Sequence, residues 1–166
     1  AREAFSDLRS RVFALGLVHH QLLGSADLKT FDVEPFLQEL LASIMGGAAP
    51  AGIKLKVEAC PLVVDLDYAV PLGLLVTEIV TNSLKHAFPN GEGEIAVALR
   101  SLSGERVNLT VADNGRSHAD KAQETPKVGS GTNIIKKLVA QLSGEMTVRR
   151  DGGTITDIVM PLPVLK

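Results

Sequence analysis

The segment from Thr77 to Pro89, TEIVTNSLKHAFP, has the periodicity of a helix with one apolar and one polar face. At about 100° per residue, Glu78, Asn82 and Lys85 lie within roughly 60° of one another. Apolar residues occupy the opposite arc: Leu72, Val76, Ile79, Val80 and Ala87. Such a helix buries one face in a core and presents a carboxylate, a carboxamide and an ammonium group on the other.

These three polar groups suit a metal ion and a nucleotide. Carboxylate and carboxamide oxygens are hard ligands for Mg²⁺, which keeps several waters and is usually completed by substrate phosphates. The ammonium group of Lys85 suits the same phosphates. Taken alone, the triad is more typical of a solvated stripe with a helical salt bridge. The functional interpretation therefore depends on the segments that follow.

A strand pattern further along the chain ends in a carboxylate. Residues 106–115, RVNLTVADNG, alternate apolar and polar side chains and end in Asp-Asn-Gly. This pattern predicts a strand that delivers Asp113 to a turn.

Glycines then open a predicted helix at residues 128–135, VGSGTNII. Here Gly129 and Gly131 would let backbone N–H groups approach phosphate oxygens, and the helix N-terminus adds a favourable dipole. Further on, DGGT at residues 151–154 predicts a turn before a strand. On its own a G-x-G pattern is more often a plain loop than a nucleotide site. The nucleotide-site interpretation therefore depends on the order of the motifs along the chain.

Hydrophobic periodicity and turn residues divide the whole chain into elements. Helices are predicted over 2–23, 34–45, 68–88 and 132–143, and strands over 53–58, 62–65, 94–100, 106–113, 145–150 and 154–160. Residues 25–30 and 46–52 are predicted to be connections. Strands with helices on one face predict an α+β fold, a two-layer sandwich.

In this order and spacing, the ExxxN helix, the strand ending in DNG, the GxG and the GGT turn resemble the Bergerat-type ATP-binding fold. Type II topoisomerases, a heat-shock chaperone, mismatch-repair ATPases and histidine kinases share that fold, and NSLKHAFP is similar to the sensor histidine kinases. Residues 11–40 resemble the segment after the phosphoacceptor helix in the subfamily with an H-R-x-K-N phosphoacceptor box. The residues that fit are Arg11, Ala14, Leu15, Val18, His19, Leu22, Asp27, Leu28, Asp32, Phe36 and Leu37.

The resemblance implies roles for the polar face of the helix and for the adenine end of a bound ATP. Asn82 would hold Mg²⁺ against the ATP phosphates, and Glu78 would assist the metal or orient a water or the acceptor. Lys85 would offset the phosphate charge. Asp113 would accept a hydrogen bond from the adenine amino group, and Gly115 would let the adenine lie close to the backbone.

The remaining implied contacts come from the glycine-rich segments. Gly129, Gly131 and Thr132 would belong to the loop over the triphosphate, and Thr154 would complete the adenine contacts through its hydroxyl and a water. The sequence departs from the family pattern at two positions. Ser117 stands where the second glycine of D-x-G-x-G is usual, and Thr132 replaces the apolar residue after G-x-G. Neither change removes the carboxylate or the asparagine, so we expect nucleotide binding to persist.

The resemblance also implies an architecture, a mixed sheet preceded by a helical dimerisation segment. Residues 1–30 would be the second helix and connection of the dimerisation unit, and residues 31–166 the catalytic ATP-binding domain. The H-R-x-K-N box is absent from this chain, so we expect the acceptor histidine on a preceding helix. That histidine would receive the γ-phosphoryl group of ATP and pass it to the receiver domain of a response regulator.

The first predicted helix carries a heptad line typical of a helix-bundle seam. Its members are Phe5, Leu8, Val12, Leu15, His19 and Leu22. We therefore expect His19 to be a packed seam residue and not the acceptor. The resemblance to the histidine kinases implies that the parent protein is a homodimer through this seam.

Charge and hydropathy limit the partners. The net charge of −2 and the lack of a basic stretch with interleaved aromatics argue against a nucleic-acid binder. The adjacent Arg149 and Arg150 fit a solvated turn. No run of eighteen apolar residues and no signal peptide is visible, which predicts a cytoplasmic location without membrane contact.

Two other functions fit the same fold. A degenerate nucleotide-fold module could act as a signalling scaffold without turnover, a reading motivated by Ser117 and Thr132. A serine kinase of the anti-sigma-factor kind shares the fold but lacks the helices at the front of this chain.

Overall fold

The computed structural model describes residues 2–115 and 130–164, and within these ranges helices and strands alternate along the chain. The helices are α1 Arg2–Leu23, α2 Val33–Ala48, α3 Leu66–His86 and α4 Ser130–Gln141. The strands are β1 Thr30–Asp32, β2 Gly52–Ala59, β3 Val63–Asp65, β4 Glu92–Leu102, β5 Arg106–Asp113, β6 Glu145–Arg150 and β7 Thr154–Pro161. The predicted helices and strands are all present, with ends shifted by a few residues.

Two predicted connections contain regular structure. The end of the 25–30 connection forms β1, which pairs antiparallel with β3 in a small sheet of its own. Helix α2 continues to Ala48 and so takes up the start of the 46–52 connection. The signal for β1 was too short to recognise, because a three-residue strand has almost no periodicity.

The main sheet has the strand order β2-β4-β5-β7-β6. Strand β2 runs parallel to β4, and the other neighbours are antiparallel. This confirms the predicted α+β architecture with a mixed sheet. Alternate residues along β5 are buried, and Asp113 follows in the same register as Val107, Leu109 and Val111. Asp113 therefore lies on the buried face of the sheet, where strand residues two apart point the same way.

Helix α3 lies at the centre of the helical layer. Asp65 caps its N-terminus by accepting a hydrogen bond from the backbone N–H of Tyr68 at 3.1 Å. Gly73 gives α2 room, because a Cβ at this position would come within 2.7 Å of the Phe36 ring. The helix buries most of its surface from Tyr68 to Val80, so its position relative to the sheet is set by packing.

A short turn joins α1 to β1. The Asp27 carboxylate accepts hydrogen bonds from the backbone N–H groups of Lys29 and Thr30 and from the Thr30 hydroxyl. These bonds favour the charged form and lower the pKa of Asp27 to about 2. The turn that directs the chain from α1 into the domain is therefore held by a carboxylate that stays ionised at neutral pH.

Helix α1 packs through a face other than the predicted seam. Ala14, Leu17 and Val18 are buried in the common core, whereas Phe5 is 76% exposed and Val12 is 59% exposed. His19, on the same heptad line, is exposed too, so this line faces away from the domain core. None of the helices in these ranges is long and apolar enough to cross a membrane.

Candidate functional site

A cavity of about 310 Å³ opens between α3, α4 and the β5, β6 and β7 strands. We call it the α3–β5 cavity. Its lining residues are Ile79, Asn82, Ser83, His86, Ala87, Asp113, Ile135, Met146, Val148, Arg150, Thr154 and Thr156. Apolar side chains from α3, α4 and β6 combined with several polar side chains are typical of a small-molecule site.

The Asp113 carboxylate is the polar centre of this cavity and is 8% exposed. Its Oδ1 accepts hydrogen bonds from the backbone N–H groups of Gly115 at 3.2 Å and Thr154 at 3.3 Å. Its Oδ2 accepts a hydrogen bond from the Ser83 hydroxyl at 3.0 Å. A carboxylate has about four acceptor positions, so about one remains for a donor in the cavity.

Two glycines let the backbone pass close to this carboxylate. A Cβ at Gly115 would overlap the backbone carbonyl oxygen of Ala87, just past the end of α3. Gly153 has a φ of +147°, and a Cβ there would overlap the carbonyl oxygen of Asp113. Glycine is required at both positions because the neighbouring atoms belong to the backbone and cannot rotate away.

The three polar residues that share a face of α3 have different surroundings: the cavity, solvent and helix α1. Asn82 lines the α3–β5 cavity, and its carboxamide has no hydrogen-bond partner among the described residues. Lys85 is exposed and does not line the cavity. Glu78 is buried against α1, where its Oε1 lies 2.6 Å from the Arg11 Nε. The structure thus brings Asn82 to the cavity but not Glu78 or Lys85.

The ion pair of Arg11 and Glu78 ties the first helix to the centre of the domain. Only 7% of the Glu78 side chain is exposed, against 29% for Arg11. A buried carboxylate without its partner loses its compensation for desolvation, which makes breaking such a pair costly.

We expect Arg11→Ala to lower the free energy of unfolding by about 2 kcal/mol, less than for a fully buried pair because Arg11 reaches solvent. Urea unfolding measures the effect, with Arg9→Ala on the exposed side of α1 as the matched control. Adding Glu78→Gln to Arg11→Ala should recover much of the loss, since the buried group is then neutral. An Arg11→Ala variant as stable as the Arg9→Ala variant would contradict this expectation.

The glycine-rich segment is described only in part. Gly129, Ser117 and the rest of residues 116–129 lie outside the described residues. Gly131 and Thr132 belong to the first turn of α4. Ile135, about one turn further on, lines the α3–β5 cavity. The N-terminus of α4 therefore lies within roughly one helical turn of the cavity.

Thr154 lines the cavity and donates its backbone N–H to Asp113. Ser83 was missed by the sequence analysis, although a small hydroxyl residue beside Asn82 could have drawn attention to it. Arg150 was expected to be solvated, at the end of the predicted strand 145–150; it does lie at the end of β6, but it lines the cavity. Its signal was the alternation of β6, which places Arg150 on the same face as Met146 and Val148.

The polar side chains at the cavity suit a metal ion that takes few protein ligands and is coordinated mainly by phosphates and water. Among the described residues there is no cluster of three or more His, Cys, Asp or Glu side chains that could hold a metal ion. A single carboxamide oxygen, that of Asn82 beside the cavity, fits Mg²⁺, which takes few protein ligands and is completed by phosphates and water.

Two family models match the chain. Residues 67–164 match "Histidine kinase-, DNA gyrase B-, and HSP90-like ATPase", and residues 1–47 match a "Histidine kinase" model. The first match covers α3, the main sheet from β4 to β7 and α4, which are the elements that build the α3–β5 cavity.

Two curated proteins are similar to almost the whole chain. This chain is 33% identical over 95% of its length to blue-light-activated histidine kinase 2 of Erythrobacter litoralis, and it covers 47% of that protein. It is 28% identical over 98% of its length to the sensor histidine kinase PdtaS of Mycobacterium tuberculosis, and covers 33% of it. The chain thus spans half or less of the length of these relatives.

The fold has a solved counterpart. The structure of an Erythrobacter litoralis blue-light activated histidine kinase superimposes with a TM-score of 0.82 at 32% identity. The superposition covers 95% of this chain and 54% of that one.

Proposed function

Because the chain belongs to the family of histidine kinase-, DNA gyrase B- and HSP90-like ATPases, we propose that the α3–β5 cavity binds the adenine end of Mg·ATP. Residues 1–47 match a histidine kinase model, so the chain is the catalytic ATPase domain of a sensor histidine kinase. The observation that carries the binding proposal is the buried Asp113 carboxylate with an acceptor position open toward the cavity.

Adenine recognition rests on this carboxylate. Asp113 accepts a hydrogen bond from the adenine amino group, while Ser83 and the backbone N–H of Thr154 hold the carboxylate in place. The Thr154 hydroxyl completes the contact through a water, and Gly115 allows the base to approach the backbone. A site that must satisfy a buried carboxylate discriminates against bases that lack a donor at this position.

The phosphates extend toward α3 and α4. Asn82 would hold Mg²⁺ against them, and Lys85 would offset their charge. Gly131 and Thr132 in the first turn of α4 would contact them, as would Gly129, which lies outside the described residues. Glu78 is held by Arg11, so to assist the metal or orient a water it has to exchange that partner. The bound Mg²⁺ supplies neutralisation of the charge on the phosphate oxygens.

The reaction is transfer of the γ-phosphoryl group to a histidine on a helix outside this chain. An imidazole nitrogen forms a bond to the γ-phosphorus, the bond from that phosphorus to the bridging oxygen breaks, and ADP leaves. Placement and charge neutralisation account for most of the catalysis of such transfers. An aspartate of a response-regulator receiver domain then takes the phosphoryl group.

The first helix supplies the dimer contact of the parent protein. Its exposed apolar line includes Phe5, Leu8, Val12 and Leu15. A seam with this heptad spacing packs against further helices of a bundle, which in the parent protein form a homodimer. We divide the chain into a dimerisation segment, residues 1–30, and a catalytic domain, residues 31–166.

Replacing Asn82 tests the metal role. We expect Asn82→Ala to weaken binding of a non-hydrolysable ATP analogue in the presence of Mg²⁺ at least about tenfold. Binding in EDTA should change by less than about twofold, because the variant removes a metal ligand and not a base contact. Isothermal titration calorimetry measures both constants on the 166-residue chain.

Thr81→Ala is the matched control for this experiment. Thr81 lies on the same helix, and its hydroxyl donates to the backbone oxygen of Thr77 at 2.8 Å without lining the cavity. Equal losses with and without Mg²⁺ in Asn82→Ala would count against the metal role.

The two alternative functions give different results. A scaffold without turnover binds the analogue but yields no phosphorylated protein when the preceding helix is supplied. An anti-sigma-type serine kinase yields acid-stable phosphate, whereas phosphohistidine is acid-labile. Acid-labile phosphate on the supplied helix is the result that this proposal expects.

A further inference from the structure

Two adjacent arginines at the end of β6 face opposite sides of the sheet. Arg149 Nε lies 3.9 Å from the Asp157 carboxylate, on a side chain that does not line the cavity. Arg150 lines the α3–β5 cavity with Met146 and Val148, and forms no ion pair with the described residues. Arg150 is exposed as well, so its guanidinium is available to a ligand in the cavity.

The strand register sets the level at which Arg150 reaches the cavity. In the β5–β7 pair Asp113 is opposite Thr154, and in the β6–β7 pair Thr154 is opposite Arg150. These three residues form one row across adjacent strands, and residues directly opposite each other share a face. With neighbouring strands about 4.8 Å apart, the Cα atoms of Asp113 and Arg150 are separated by roughly 10 Å.

A purine held by Asp113 fits this span. The base lies at the level of the row, whereas the phosphates belong near Asn82 on α3. No Phe, Tyr or Trp side chain is among the lining residues described for the cavity, so no large aromatic ring is present there to cover a base. A guanidinium is planar, weakly hydrated and packs well on aromatic faces.

We infer that Arg150 packs its guanidinium against the face of the bound purine and is a base-binding residue of this site. The inference rests on the proposed function, because it needs adenine at Asp113. It assigns Arg150 to the base and not to the phosphates, so its contribution is the same for nucleotides with two or three phosphates.

The test compares Arg150→Ala with Arg149→Ala by isothermal titration calorimetry on the full chain. The probes are ADP and a non-hydrolysable ATP analogue, each with Mg²⁺. We expect Arg150→Ala to weaken both about three- to tenfold, by the same factor. Arg149→Ala, the matched neighbour on the other face, should stay within about twofold of the native chain.

A conservative variant separates stacking from charge. Arg150→Lys keeps the positive charge but loses the planar group, so it should bind as weakly as Arg150→Ala. Recovery of native affinity by Arg150→Lys, or a loss that is larger for the triphosphate, would assign Arg150 to the phosphates and overturn the inference. Equal binding by the Arg150→Ala and Arg149→Ala variants would overturn it as well.

Asp113→Asn, measured with the same two probes, keeps this inference separate from the proposed function. If the native chain binds neither probe, the proposed nucleotide site is wrong and Arg150 loses its role with it. If the native chain binds and Asp113→Asn does not, while Arg150→Ala binds normally, only the inference about Arg150 fails.

Discussion

Asp113→Asn is expected to weaken ATP binding about 10- to 150-fold, the equivalent of one charge-assisted hydrogen bond. The reason is local geometry. The remaining oxygen of the asparagine can still accept from the N–H groups of Gly115 and Thr154, which Oδ1 accepts in the native chain. The amide nitrogen then replaces Oδ2 and presents donors to the adenine amino group, which is itself a donor.

Inosine triphosphate gives this experiment a second arm. Its base carries an acceptor where adenine carries the amino group, so the asparagine variant should bind it better relative to ATP than the native chain does. Asp157→Asn is the matched control, because Asp157 accepts from the Thr110 hydroxyl at 2.7 Å and does not line the cavity. Unchanged ATP affinity in Asp113→Asn would refute the adenine role of this carboxylate.

Gly153→Ala is expected to lower the free energy of unfolding by about 3 kcal/mol, from backbone strain and overpacking together. The φ of +147° at this position is unfavourable for any side chain, and the new Cβ would overlap the carbonyl oxygen of Asp113. Because the displaced atoms belong to Asp113, ATP affinity should fall together with stability.

The preceding glycine provides the control for this variant. Gly152 has a φ of +61°, and a Cβ there would meet nothing within 4 Å. Gly152→Ala should therefore cost only the left-handed backbone term, about 1 kcal/mol, and leave ATP binding intact. Urea unfolding of both variants measures the difference. Equal losses in the free energy of unfolding would show that the contact with the Asp113 carbonyl oxygen does not destabilise the Gly153→Ala variant.

Much of the fold could be predicted because its signals are local. The alternation in β5 and the heptad-like spacing in α1 predicted both elements with the ends that the structure has, Arg106–Asp113 and Arg2–Leu23. The ExxxN helix and the strand ending in DNG identified Asn82 and Asp113 from sequence motifs alone. Both residues line one cavity because the fold brings the two segments together, and that fold was implied by the resemblance.

Several contacts at the site could not be predicted, since a helical wheel gives the direction of a side chain but not its neighbour. Glu78 and Asn82 share a face of α3, yet Glu78 meets α1 and Asn82 meets the cavity. Arg149 and Arg150 were expected to be solvated, and only the pairing of β6 with β7 shows that Arg150 lies on the face of the sheet that lines the cavity.

Periodicity and turn residues thus specified the helices, the strands and the residue types available for chemistry, because these depend on neighbours within a few positions of the chain. Partners across the molecule were specified by packing. Ser83 meets Asp113 over a separation of 30 residues, and Arg11 meets Glu78 over 67. Such contacts arise only when strand register and helix packing bring distant segments together, and local pattern carries no information about that distance.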